Sequence, residues 1–138
     1  TGNVIISHGR LHVNPGATQS DAGLGNASNN VVFNGSVVDT LNNGGGSASF
    51  QVINGNSITW GADRSVVLNS NKEGTFYVWG GTTHTVEGQV TGAGNLRKED
   101  GGVLLLNNAS NDWTGEMVRS QVHPCSVLEP RVGLLFWI

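Results

Sequence analysis

Short apolar runs separated by glycine and asparagine are the feature that most limits how this chain can fold. Runs such as 31–33, 66–68 and 103–106 contain three or four apolar residues, and clusters of Gly, Asn, Ser and Asp stand between them. Short runs bounded by turn residues are typical of β-strands, whereas helices need about ten residues or more. The sequence therefore predicts an all-β fold.

The composition agrees with this fold and argues against several classes of protein. Of the 138 residues, 21 are Gly and 16 are Asn, and only 12% are charged, which is about half the usual share. Seven basic and ten acidic residues give a net charge of −3, so we expect no nucleic-acid partner. We also expect no membrane span and no targeting signal in this chain, and its single Cys cannot form an internal disulfide.

Two segments repeat a similar order of residues. Residues 1–13 read T-G, then alternating apolar residues, then G-x-L-x-V, with a corner predicted at Gly9. Residues 92–115 read G-x-G-x-L-x-K-x-x-G-G-x-L-x-L-x-x-x-x-N-x-x-T-G, and the alternation predicts that Leu96, Leu104 and Leu106 point to one side. Alternation interrupted by Gly indicates short strands joined by sharp corners.

These motifs resemble the β-strand repeat of autotransporter passenger domains, which form right-handed β-solenoids. The resemblance is strongest over residues 1–24 and 88–115 and is absent after Val118. It implies a right-handed parallel β-helix for residues 1–118, with about six short coils if each coil uses roughly 20 residues. Inward Val, Ile and Leu should then form continuous rows, and stacked Asn side chains should form hydrogen-bonded ladders.

Residues 119–138 do not continue the pattern and are predicted to be an atypical apolar tail. They contain no Asn, two of the three prolines, the only Cys, and an apolar run that begins with Leu134 and ends with Ile138. Two interpretations remain open, a natural cap on the last coil and a tail created by a shifted reading frame. An exposed run at 134–138 would be insoluble, so we expect it to cover a coil end or to join copies in a homo-oligomer such as a trimer.

Histidines are the candidate metal ligands. His8 and His12 lie near a predicted corner, with His12 pointing outward, and His84 could join them from a neighbouring coil or chain together with a carboxylate. Such a site would hold zinc or another divalent metal and activate water for hydrolysis of an ester or phosphoester. The simpler interpretation is that these histidines are solvated surface residues and that no cofactor is bound.

Aromatic side chains are the candidate ligand-binding residues. Trp60, Tyr77 and Trp79 lie among Asn and Thr, and outward rings beside hydroxyls and amides are what a sugar-binding face uses. The alternative is that these rings pack against neighbouring coils.

The resemblance implies a fragment of a secreted or surface-displayed solenoid with a structural or adhesive role and no catalytic activity. Its location would be extracellular or on a bacterial cell surface. A small oligomeric metal-dependent hydrolase with a histidine-built site is the first alternative. A glycan-binding module is the second.

Overall fold

The computed structural model describes residues 2–14, 22–36, 48–52, 55–119 and 126–128. Within these ranges the chain forms strands β1 (Val4–Ile6), β2 (Gly9–Val13), β3 (Val31–Phe33), β4 (Ala48–Val52), β5 (Ile58–Trp60), β6 (Val66–Leu68), β7 (Glu73–Tyr77), β8 (Thr83–Val86), β9 (Val90–Gly92), β10 (Asn95–Glu99), β11 (Val103–Leu106), β12 (Met117–Arg119) and β13 (Ser126–Leu128). The prediction of an all-β fold is confirmed for this part of the chain.

Helical structure in the same ranges consists of a 3-10 turn at Ala22–Leu24. No helix among the described residues is both long and apolar enough to cross a membrane.

The strands form three sheets in which every neighbouring pair is parallel. The first sheet has the order β1-β3-β6-β9, the second β12-β10-β7-β4-β2, and the third β13-β11-β8-β5. From β3 to β11 the chain visits the first, second and third sheets in turn and then returns to the first. We call the strands of one such passage a level, so that β6, β7 and β8 form one level and β9, β10 and β11 the next.

The levels differ in length. We call the separation in sequence between two paired residues of neighbouring levels the step. It is 20 residues from Thr83 to Val103 but 39 residues from Gly9 to Ala48. The second sheet accordingly holds five strands within the described ranges, where a uniform step of about 20 residues predicted about six coils. The difference arises because the early levels use many more residues than the late ones.

The core lies between the three sheets and consists of rows of similar side chains. Val31, Val66 and Val90 pair in register in the first sheet and are buried. Leu104 and Leu106 of the third sheet are fully buried, as is Leu96 of the second, so the prediction that these three leucines share one side is confirmed. Each row buries apolar surface only because the level above and the level below supply matching residues.

Glycine is required at two kinds of position along the corners. Gly9 has a φ of 72°, a left-handed conformation that other residues adopt only with strain, and this supports the predicted corner there. At Gly88 a Cβ would overlap the carbonyl group of Arg64 in the level before it. The close approach of two backbones at this corner therefore excludes any side chain.

Asparagine side chains connect one level to the next. Asn69 Nδ2 donates to Asn34 Oδ1 at 3.0 Å, which confirms a stacked Asn pair. Asn111 Oδ1 accepts from the backbone N–H of Val90 at 2.8 Å, and Asn30 Oδ1 accepts from that of Ser65 at 3.2 Å. These bonds satisfy the backbone N–H groups of the first residue of β9 and of the residue before β6.

Strand pairing extends into the segment that the sequence separates from the repeats. β12 pairs with β10, and β13 at Ser126–Leu128 pairs with β11. The apolar run at 134–138 and the single cysteine, Cys125, lie outside the described residues.

Candidate functional site

The second sheet presents two rows of mainly polar side chains on the face opposite the core. In register these rows are Arg10, Ser49, Thr75 and Arg97, and His12, Gln51, Tyr77 and Glu99. Side chains alternate between the faces of a strand, so these residues lie opposite the buried Phe50 and Phe76. This face of the sheet therefore carries polar side chains across four levels, of which Ser49, Gln51 and Thr75 are buried.

Arg10 contacts side chains of the next two levels on this face of the sheet. Its guanidinium carbon lies 3.7 Å from the ring centroid of Tyr77, two levels away. Its Nη1 donates to Gln51 Oε1, in the level between, at 3.0 Å. A guanidinium held over an aromatic face is stabilised by the ring quadrupole. One face of Tyr77 is therefore covered by Arg10 and does not offer a stacking surface to a ligand.

An ion pair lies at the start of β7 on the same face of the sheet. Arg97 Nε donates to Glu73 Oε1 at 2.6 Å, and the Glu73 side chain is fully buried. A second carboxylate, that of Glu99, lies 3.5 Å from Arg97 Nη1. Burial lowers the pKa of Arg97, but the hydrogen bond and charge of Glu73 and the charge of Glu99 outweigh it and raise that pKa above its usual value.

Trp79 is the predicted ligand-binding residue that the structure leaves open to solvent. It follows β7 in the turn toward the third sheet, and 44% of its surface is exposed. The turn is held by the Thr82 backbone N–H and hydroxyl, which donate to Trp79 O at 3.0 and 2.8 Å. Gly80 and Gly81 in the same turn are also exposed and have no side chain that could cover the indole ring.

Trp60 lies inside the molecule rather than on the outer surface considered for it. It is fully buried at the end of β5, and its ring meets Phe50 edge-on at a centroid distance of 4.7 Å. Thr59, the middle residue of β5 between the buried Ile58 and Trp60, is exposed instead. The interior position explains why Trp60 packs in the core and presents no face to a sugar.

His84 also lies in the core, surrounded by aromatic rings. Its ring centroid is 4.6 Å from that of Trp60, 5.1 Å from Phe76 and 5.3 Å from Phe50. Within the described ranges its Nε2 has no hydrogen-bond partner. Burial lowers the pKa of His84 from 6.5 to about 3, because an imidazolium in this apolar interior would lose its hydration.

The three histidines considered as metal ligands are not brought together in the described part of the chain. His8 and His12 are exposed on the first level, whereas His84 is buried in the third sheet. Over the same residues, no three His, Cys, Asp or Glu side chains are grouped so that they could hold a metal ion.

Two buried cations were missed by the sequence analysis. Arg64 is fully buried, and its guanidinium donates to Asn29 O at 2.6 Å and to Asn26 O at 3.0 Å. Lys98 is also buried, and its Nζ donates to the backbone carbonyls of Glu99 and Asp100. The alternation that points Leu96 inward does the same for Lys98, whereas no sequence pattern singles out Arg64.

Comparisons with protein-family models, with curated proteins and with solved structures find no match for this chain.

Proposed function

We propose that the chain is a segment of a right-handed parallel β-helix, part of a secreted or surface-displayed autotransporter-like protein with a structural or adhesive role. The observation that supports this most directly is the repeated path through three parallel sheets, with paired strands in register at each level. A path of this kind builds length, because every level repeats the same contacts with the one before it.

The contacts between levels support a structural role. In the third sheet, Leu106 pairs with Val86 and Val86 pairs with Trp60, and all three side chains are fully buried. In the first sheet, Phe33 pairs with Leu68 in the same way. Each level thus provides the apolar surface on which the next rests, and stability grows with the number of levels.

The handedness and path of the β-helix are tested by a crystal structure of the purified chain. We expect one right-handed winding with a spacing of about 4.8 Å between levels. A left-handed winding, or two sheets packed face to face as a sandwich, would overturn the proposed architecture.

Glycan binding is the adhesive function that one observation favours, namely the exposed Trp79 in its glycine-rich turn. A pyranose ring stacks on an indole face, and backbone groups beside it accept and donate hydrogen bonds to hydroxyls. Exposed Gly80 and Gly81 leave such backbone groups accessible next to the ring.

The adhesive role is tested with beads coated with the purified chain and applied to immobilised oligosaccharides. Trp79→Ala should weaken attachment about tenfold, which corresponds to about 1.4 kcal/mol. Ile5→Ala is the matched control, because Ile5 is the other exposed large apolar residue among those described, at 63% exposure. Equal attachment by wild type and Trp79→Ala would refute this site, as would equal losses in both variants.

A further inference from the structure

One tetrapeptide occurs twice at equivalent corners of the fold. Residues 26–29 and 108–111 both read Asn-Ala-Ser-Asn. The first precedes β3, and the second precedes a segment that bonds to β9, where Asp112 N donates to Val90 O at 3.0 Å. Each tetrapeptide contains the pattern Asn-x-Ser, the acceptor pattern for N-linked glycans.

Both copies adopt the same turn. The backbone N–H of the fourth residue donates to the carbonyl of the first, at 2.9 Å from Asn29 to Asn26 and at 3.2 Å from Asn111 to Asn108. The side-chain oxygen of the first Asn accepts from the backbone N–H of the Ser, at 3.0 Å in the first copy and 2.8 Å in the second. The two copies therefore match in sequence and in local backbone structure.

They differ at the carboxamide nitrogen, the atom to which a glycan is attached. Asn108 is half-buried, and its Nδ2 donates to the carbonyl of Glu87 in the level before it at 2.8 Å. Asn26 is exposed, and among the described residues its carboxamide bonds through Oδ1, with no partner for Nδ2. Only the first copy thus offers a solvated amide nitrogen that can be modified without breaking a bond between levels.

Buried Arg64 presents the first copy to solvent in one fixed orientation. Its guanidinium holds the backbone carbonyls of Asn26 and Asn29 from the interior side. The Ser28 hydroxyl donates to Asn26 Oδ1 at 2.8 Å on the exposed side. The hydroxyl that the acceptor pattern requires therefore lies directly beside the amide that would react.

A third Asn-x-Ser pattern, at residues 34–36, is less suited to modification. Asn34 is half-buried and its side-chain oxygen accepts from Asn69 in the stacked pair. Its central residue, Gly35, is buried against Ala48. A glycan on Asn34 would disrupt the contact between two levels.

We propose that Asn26 is an N-glycosylation site and that Asn108 is not, despite its identical tripeptide. The donor is an oligosaccharide linked to a lipid diphosphate. Asn26 Nδ2 forms a bond to C1 of the first sugar, the bond from C1 to the diphosphate oxygen breaks, and the lipid diphosphate leaves while the amide proton passes to a base of the transferase. In a cell, this modification rests on the secreted or surface-displayed location of the proposed function.

The experiment uses the folded chain, a purified oligosaccharyltransferase and the lipid-diphosphate-linked oligosaccharide, with site occupancy measured by glycopeptide mass spectrometry. Occupancy of Asn26 should exceed that of Asn108 at least tenfold. The same reaction is then run on urea-denatured chain, under conditions in which the transferase still accepts it. There the two sites should be modified equally, because their tripeptides are the same. Ser28→Ala should abolish modification at Asn26, whereas Ser110→Ala should leave it unchanged.

Equal occupancy of Asn26 and Asn108 in the folded chain would overturn the proposal. So would an unmodified Asn26 in folded chain whose denatured form is modified. Because the reaction uses purified components, its outcome does not depend on where the protein resides, and it is independent of the adhesion and handedness experiments.

Discussion

Acidification should destabilise this fold through His84. The imidazole is buried among Phe50, Trp60 and Phe76, and its Nε2 has no hydrogen-bond partner in the part of the chain that the structure describes. In the folded protein its pKa is lowered by burial from 6.5 to about 3. Its neighbours in the third sheet, Ile58 and Leu104, are apolar and buried, so no carboxylate on these strands compensates an added charge.

The size of the effect follows from the two pKa values. Between pH 6.5 and about pH 3 the unfolded chain binds a proton at His84 that the folded chain does not, so stability falls as the pH falls. At pH 4.5 the interval from the unfolded pKa is about two units, which at about 1.4 kcal/mol per unit corresponds to about 3 kcal/mol. A loss of this size is a large fraction of the stability of an ordinary domain.

The assay is guanidinium unfolding at pH 7.5 and pH 4.5, followed by circular dichroism. His84→Leu removes the titrating group. Between these two pH values, the free energy of unfolding of this variant should therefore fall by about 3 kcal/mol less than that of wild type. Any cost of the substitution that does not depend on pH cancels in this comparison. His12→Leu makes the same chemical change at an exposed position and should keep the pH dependence of wild type.

Equal losses of free energy of unfolding in wild type and His84→Leu between pH 7.5 and pH 4.5 would refute this role of His84. An equally reduced pH dependence in His12→Leu would also refute it, since the effect would then not depend on burial.

Two further substitutions test the contacts between levels, each with a matched control. Gly88→Ala should lower the free energy of unfolding by about 3 kcal/mol, because the new methyl group meets a backbone carbonyl. The control Gly61→Ala places its methyl group in open space and should change the free energy of unfolding little. Equal unfolding midpoints for the two variants would contradict this. Arg64→Met leaves buried carbonyls without their donor and should cost about 3 kcal/mol, whereas Lys72→Met, at a half-buried position, should cost less than half as much in the same unfolding assay.

The predicted strands agree with the structure where apolar residues alternate and differ where they do not. The runs 31–33, 66–68 and 103–106 coincide with β3, β6 and β11. The apolar and aromatic run 76–79 coincides with only the last part of a strand, because β7 begins at Glu73 and ends at Tyr77. Glu73 and Thr75 are polar yet buried on the outer face, so the hydrophobic pattern underestimates this strand.

The candidate site followed from the sequence only in part. The alternation of Phe76, Tyr77, Val78 and Trp79 predicts which two rings point outward, and the structure agrees, with Trp79 exposed and Tyr77 half-buried. The position of Arg10 over Tyr77 joins residues two levels apart. No local pattern contains that contact, because it depends on how many residues separate the levels.

By itself, the sequence of this protein determined the short strands, the glycine corners and the inward side of residues such as Leu96, because alternation and backbone freedom are local properties. Only the tertiary structure decided which strand rests on which, since steps of 20 to 39 residues separate the paired strands. That stacking places Trp60 and His84 in one aromatic core, and it leaves Asn26 exposed while its counterpart Asn108 is bonded to a neighbouring level.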